Sequence, residues 1–304
     1  NGIRIRVDEL VGEGSTCLVY HGKVLDNELL IQETMVVIKE FYPQSSVGYF
    51  DITRSLDGKL SVRKDTRELP EYIERKKQFE TGYKMQKHLA NSEVMEVMVK
   101  PLLFGTYGDA SYLVSDVHMG KSLDRMIFEN LEDKLACAIR VAELFGILHE
   151  AGYMMLDFKP ENFLWTERPK SLKLIDADSI FRYKKPQAVY GAENDIAADL
   201  GAKDVFYMNQ KYGTPEILYL KAMLEKGMGD LEEKKNSYFV PNVNVYNTGK
   251  YMFELLFERI PLEEDKKFPE SLTEELYGRY KSWFGSRKMA ENLLNVLKQS
   301  LQRE

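Results

Sequence analysis

The stretch YMMLDFKPENFLW, Tyr153 to Trp165, decides how the chain is read. It sets an acid, a lysine and an amide (Asp157, Lys159 and Asn162) among Met154, Met155, Leu156, Phe158, Phe163 and Leu164. A charge buried without a partner costs several kilocalories per mole. Either these groups satisfy one another as a buried polar turn, or the apolar residues hold a loop that presents them to a charged ligand. The stretch LKLIDADS, Leu172 to Ser179, follows as a short strand ending in an acid. Asn162 and Asp176 are hard oxygen ligands that suit Mg²⁺ better than a soft metal. Asp157 is left to orient a hydroxyl or accept its proton. Lys159 is placed to balance phosphate charge.

Working outward, the first third reads as strands. IRIRVDELVGEG alternates and then breaks at Gly12 and Gly14, and CLVYHGKV and TMVVIKEFYP follow as β-branched runs. Glycines between two strands let a backbone approach a phosphate and offer it N–H groups. Lys39, flanked by Val36, Val37 and Ile38, faces either solvent or an inner site. A polar insert spans 44–70, and its Asp57-Gly58 pair predicts a hairpin turn. Pro70 suits the first position of a helix running to about Leu89. VMVKPLLFGTYGDASYLVSDV reads as strand, turn and strand. After Gly120 the pattern becomes helical, with Leu131, Leu135, Ile139, Ala142 and Phe145 as one stripe and Gly152 as the cap. The fold class expected is α+β, with a strand-rich unit over 1–116 and a helix-rich unit over 117–304.

Composition narrows the function. The chain has 304 residues, enough for two lobes, with 44% hydrophobic and 30% charged residues, as in ordinary globular proteins. A net charge of −6 argues against a nucleic-acid-binding surface, and no apolar run reaches membrane-spanning length. Only two cysteines and four histidines are present, none at ligand spacing, which argues against a disulfide scaffold or structural zinc and for a reducing, cytoplasmic setting. The chain begins without Met or a signal-peptide pattern, as an excised domain would.

In order along the chain, GEGSTCLV, VVIK, LDFKPEN, DAD and GTPE resemble the motifs of the protein-kinase family, over about residues 5–295. The resemblance implies a bilobal fold with a small β-rich N-lobe and a larger α-helical C-lobe. It implies an ATP- and Mg²⁺-dependent transfer of the γ-phosphoryl group to Ser or Thr of a protein substrate or of the chain itself. Gly12 and Gly14 would cover the phosphates, and Lys39 would hold the α- and β-phosphates. Glu80, with Glu74 as runner-up, would pair with Lys39. Asp157 would be the catalytic base and Lys159 would steady the γ-phosphate, with Asn162 and Asp176 on the metal. Ser115, Asp116 and Val117 would form the hinge, and Val19, Val37 and Leu164 would sandwich the adenine. Glu216 would pair with Arg287, and Asn244 stands where an aspartate is usual.

The departures from the pattern are informative. Met155-Leu156 replaces the His-Arg that precedes the catalytic aspartate, so a phosphorylated activation segment (176–216) has no obvious arginine to dock on. Ala177 cannot make the apolar stack that a phenylalanine makes with the helix after Lys39. Two alternatives stay open: a weakly active or inactive kinase fold serving as a nucleotide-binding interaction module, and a small-molecule phosphotransferase, suggested by the Asp176-x-Asp178 pair. The 44–70 insert is a partner-binding hairpin or a surface decoration.

Overall fold

The alternation in the first third of the chain becomes an antiparallel sheet. The computed structural model describes residues 4–25, 34–46, 48–183, 209–228 and 240–302, with a β-sheet-rich N-terminal part and a helical C-terminal part. Strands β1 (Ile5–Glu13), β2 (Cys17–Val24) and β3 (Thr34–Phe41) lead into a hairpin of β4 (Ile52–Arg54) and β5 (Leu60–Val62). A short helix α1 (Lys64–Arg67) and a long α2 (Pro70–Ala90) follow, then β6 (Pro101–Tyr107) and β7 (Ala110–Asp116). The main sheet runs β1-β2-β3-β7-β6. The hairpin turns at Asp57-Gly58, and Pro70 stands at the first turn of α2, both as the sequence predicts.

The two-residue period of β3 sorts its side chains onto two faces. Val36 and Ile38 pack with Val24 and Val114 on one face. Phe41 packs on the other with Phe50, Val62, Tyr72, Phe79 and Leu113, so α2 and the insert cover that side. Glu40 lies on the first face and is 1% exposed. It accepts hydrogen bonds from Tyr20 Oη at 3.0 Å, Tyr112 Oη at 2.6 Å and Arg54 Nη1 at 3.2 Å. Burial, and then the Glu40 charge, push the Tyr20 hydroxyl up to about 12. Arg54 comes from the insert, and Asp109 holds the same insert by accepting from Val62 N at 2.9 Å. The insert is therefore fastened to the sheet.

The chain divides into two compact units. Asn1–Met119 and Leu174–Asp178 form the first, and Gly120–Lys173 and Ser179–Glu304 the second. The boundary falls three residues past the expected Asp116, and Leu174–Asp178 returns to the first unit because Val99 N donates to Leu174 O at 3.0 Å.

In the second unit, β8 (Lys121–Ser122) precedes α3 (Leu131–Glu150), β9 (Tyr153–Met155), β10 (Phe163–Glu167), β11 (Lys170–Leu174) and β12 (Ile180–Arg182). Then come α4 (Pro215–Glu225), α5 (Asn242–Phe257), α6 (Glu270–Arg279) and α7 (Arg287–Leu301). Leu131 of α3, Phe253 and Leu256 of α5, Leu276 of α6 and Leu294 and Leu297 of α7 share one core. Gly152 follows α3 at φ 86°, as its capping role requires. The buried stripe of α3 is not the expected one. Ile139 is 56% exposed and Ala142 faces solvent, while Leu131, Lys134, Ala138, Val141, Phe145 and Leu148 are buried. The stripe lies to the other side of Leu131 because Lys134 buries its stem and places its ammonium 3.0 Å from Tyr280 Oη and Glu258 Oε1. Among the described residues no helix is long and apolar enough to cross a membrane.

The Glu40 cluster predicts the effect of one substitution. Arg54→Ala leaves a buried carboxylate without its counter-charge. Because Arg54 is itself partly exposed, the expected loss is roughly 1–3 kcal/mol in denaturant unfolding. A loss below about 0.5 kcal/mol would show that the insert is not fastened there.

Candidate functional site

Two groups of polar residues stand out, one in each unit. In the first, the register of β2 and β3 pairs Val19 with Lys39 and Cys17 with Phe41. The Lys39 side chain is 14% exposed, with Nζ donating to Ile175 O at 2.8 Å and lying 3.4 Å from Asp176 Oδ2. Burial works against its ammonium, but Asp176, Cys17 and Asp178 outweigh burial and raise its pKa above the ordinary lysine value. Lys39 thus stays charged. The other Asp176 oxygen accepts from Asp178 N at 3.4 Å.

The segment after Ile175 also meets α2. Asp178 Oδ2 accepts from Gln78 Nε2 at 2.9 Å. Gly82, one turn further on, lies so close that an added Cβ would sit 3.1 Å from Asp178 Cβ. Glu80 does not meet Lys39. At about 100° per residue it lies some 200° around the helix from both Gln78 and Gly82, on the opposite face. Glu74, four residues before Gln78, shares the face that meets the segment.

The turn between β1 and β2 is held by its neighbours. Gly14 N donates to Cys17 O at 2.9 Å, Gln44 N to Ser15 O at 2.9 Å and Tyr42 N to Thr16 O at 3.0 Å. Arg75 Nη1 reaches Ser15 O at 3.4 Å and pairs with Glu71 at 3.0 Å. Burial pushes the Glu71 carboxyl up, but Ser46, Arg75 and Ser45 outweigh it and bring its pKa down to about 2. An added Cβ on Gly12 would come no closer than 3.8 Å to its surroundings, and one on Gly14 no closer than 3.7 Å. Neither glycine has a positive φ. The local fold does not demand these glycines. On β7, Ser115 pairs with Val37 and Asp116 with Val36, and Val117 follows half-buried.

In the second unit, β9 leads into the opening stretch. Asp157 is 8% exposed, and its Oδ2 lies 3.2 Å from Lys159 Nζ. Asn162 is 4% exposed, and its Nδ2 has no hydrogen-bond partner. Leu164 follows, half-buried on β10. Phe158 and Phe163 pack against each other at 5.4 Å, with Phe145 and Tyr212 on Phe158 at 5.9 and 5.1 Å. Those rings hold the loop from below. Asn244 of α5, wholly buried, holds it from the side. Its Oδ1 accepts from Met155 N at 3.0 Å and lies 3.1 Å from His149 Nε2, while its Nδ2 donates to Met155 O. An aspartate could not make the last bond, so the amide matches the carbonyl it faces.

Other expectations end differently. Arg287 pairs with Glu270 at 2.6 Å and Glu274 at 2.9 Å, not with Glu216. It opens α7, where these glutamates pair with its charge. Residues 184–208 of the expected activation segment lie outside the described residues. Gln78, Arg75 and His149 carry no signal in the sequence that sets them apart. Among the described residues no cluster of three or more His, Cys, Asp or Glu side chains could hold a metal ion alone. Magnesium bound through one or two protein oxygens plus phosphates needs none.

Two outcomes are expected. Asn244→Asp places a carboxylate against a carbonyl and should cost roughly 2–4 kcal/mol in urea unfolding at neutral pH. The loss should shrink as pH falls, because a protonated acid donates as the amide does. A pH-independent loss would show that the donor is irrelevant. Glu71 has a folded pKa below its unfolded value of about 4.3, so it contributes stability above that pH which is lost as pH falls towards 2. Glu71→Gln should remove this component, and its unfolding midpoint should vary less with pH between about 5 and 2 than that of the wild type. An unchanged slope would refute the assignment.

Compared with models of known protein families and with curated proteins, the sequence matches none.

Proposed function

We propose that the chain has a bilobal, protein-kinase-like fold and transfers the γ-phosphoryl group of ATP to Ser or Thr of a protein substrate or of the chain itself. One observation carries the reading. A nearly buried strand lysine, Lys39, is kept charged and lies 3.4 Å from Asp176, a residue from a motif far along the chain. Phosphoryl transfer consists mainly of positioning and charge neutralisation, and these groups supply both.

Magnesium, when bound, would supply charge neutralisation for the phosphates of ATP. Asn162 and Asp176 would hold it. The ligand there would be the Asn162 Oδ1; its unmatched Nδ2 is a donor and does not itself face the metal. Lys39 binds the α- and β-phosphates, and the bare turn at Gly12 and Gly14 admits them. Ser115, Asp116 and Val117 line the base-binding edge, with Val19, Val37 and Leu164 on the adenine faces. Asp157 orients the acceptor hydroxyl and takes its proton as the new oxygen–phosphorus bond forms and the bond to the leaving ADP oxygen breaks. Lys159 offsets charge on the transferred group. The cytoplasm, where ATP is abundant, is the setting this reading implies.

A second reading has one observation in its favour. Lys39 pairs with Asp176 and not with Glu80 of α2, an arrangement that suits a nucleotide-binding module as well as an enzyme.

Radiolabel transfer from ATP to a generic protein and to the chain itself tests the choice. The wild type should transfer label, and Asp157→Ala should lose about 10²–10⁴-fold while keeping the rise in Tm caused by ATP and Mg²⁺. A Tm rise without Asp157-dependent transfer would establish the binding module. Neither signal would refute both readings.

A further inference from the structure

We infer that Gln78 is a positioning residue through which α2 sets the carboxylate proposed to hold magnesium. The inference rests on the reading of Asp176 given above.

Four contacts carry it. Gln78 Nε2 donates to Asp178 Oδ2 at 2.9 Å. Asp178 N in turn donates to Asp176 Oδ1 at 3.4 Å, and Lys39 Nζ lies 3.4 Å from Asp176 Oδ2. Gly82 then lets the helix come so close to Asp178 that an added Cβ would lie 3.1 Å from Asp178 Cβ. Asp176 is therefore fixed on both oxygens. One side depends on the strand lysine, and the other on α2 acting through Asp178. Ala177 supplies no bulky side chain to lock this segment to the helix, and the polar Gln78–Asp178 contact does so instead. An amide suits the position. It donates to one carboxylate without adding a charge that would draw Asp176 or Lys39 out of place.

If α2 shifts, Asp178 moves and the Asp176 carboxylate loses its orientation. Residues that orient a metal ligand through a hydrogen bond commonly change metal affinity by about 10–100-fold when removed. Gln78 should act in that way, on magnesium dependence first and on nucleotide binding without metal hardly at all.

The test titrates Mg²⁺ into the full chain with a fluorescent ATP analogue and reads the concentration giving half-maximal binding. Gln78→Ala should raise it about tenfold or more, while binding in EDTA stays within about twofold of wild type. Gln78→Glu, which sets like charges together, should do worse. The double variant Gln78→Glu with Asp178→Asn exchanges amide and carboxylate and should restore much of the loss. Lys77→Ala, on the exposed side of α2, serves as control. Gly82→Ala forces Asp178 back by a few tenths of an ångström and should raise the midpoint even though alanine favours the helix.

An unchanged Mg²⁺ midpoint in Gln78→Ala, with the wild type binding normally, would overturn the inference and leave the phosphotransferase reading standing. A wild type that binds no nucleotide would refute that reading instead. The contact is then judged by hydrogen exchange of the amides at 174–178: faster exchange in Gln78→Ala than in Lys77→Ala supports it, and equal exchange overturns it.

Discussion

A lysine ammonium in the middle of a sheet is the constraint from which much of the first unit follows. Lys39 is forced inward by the strict alternation of β3, because Val36 and Ile38 take the other face. Desolvation opposes its charge, so a carboxylate and a carbonyl must come to it. Asp176 and Ile175 do so, and the chain returns to the first unit for the few residues Leu174–Asp178. That return brings Asp178 to α2 and sets Leu174 on Val99. One buried charge thus determines where a distant segment goes, and the proposed chemistry uses the charge that made the arrangement necessary.

The second unit solves a related problem with neutral groups. Its loop carries Asp157, Lys159 and Asn162 over a floor of aromatic rings. A floor alone fixes height and not direction. Asn244 supplies direction by bonding both the N–H and the C=O of Met155, two residues before Asp157. A neutral side chain does this in a wholly buried position without the desolvation cost a carboxylate would bring. Asn244 therefore answers to the local backbone, whose carbonyl needs a donor.

Much of this was legible in the sequence. Strand alternation, the Asp57-Gly58 turn, Pro70 and Gly152 act over a few residues, and local steric rules predict them well. The candidate loop was legible because charged groups in an apolar run demand an explanation. Three things were hidden, each for a physical reason. The phase of α2 could not be read, because charged residues occur all around it; Gln78 and Gly82, not Glu80, mark the face that meets Asp178. The α3 stripe was misjudged because a lysine stem can be buried while its ammonium finds partners. The bonds from Arg54 to Glu40 and from Arg287 to Glu270 and Glu274 join separate elements, and no periodicity encodes them.

The central claim is that Lys39 and Asp176, paired at 3.4 Å, serve one metal–nucleotide event. A double-mutant cycle on Mg²⁺-dependent ATP binding measures this directly, using Lys39→Ala, Asp176→Ala and the pair. The account predicts strong non-additivity: each single variant removes most of the Mg²⁺ dependence, and the double variant removes little more. Losses that simply add would mean that the two residues act independently, and would contradict it.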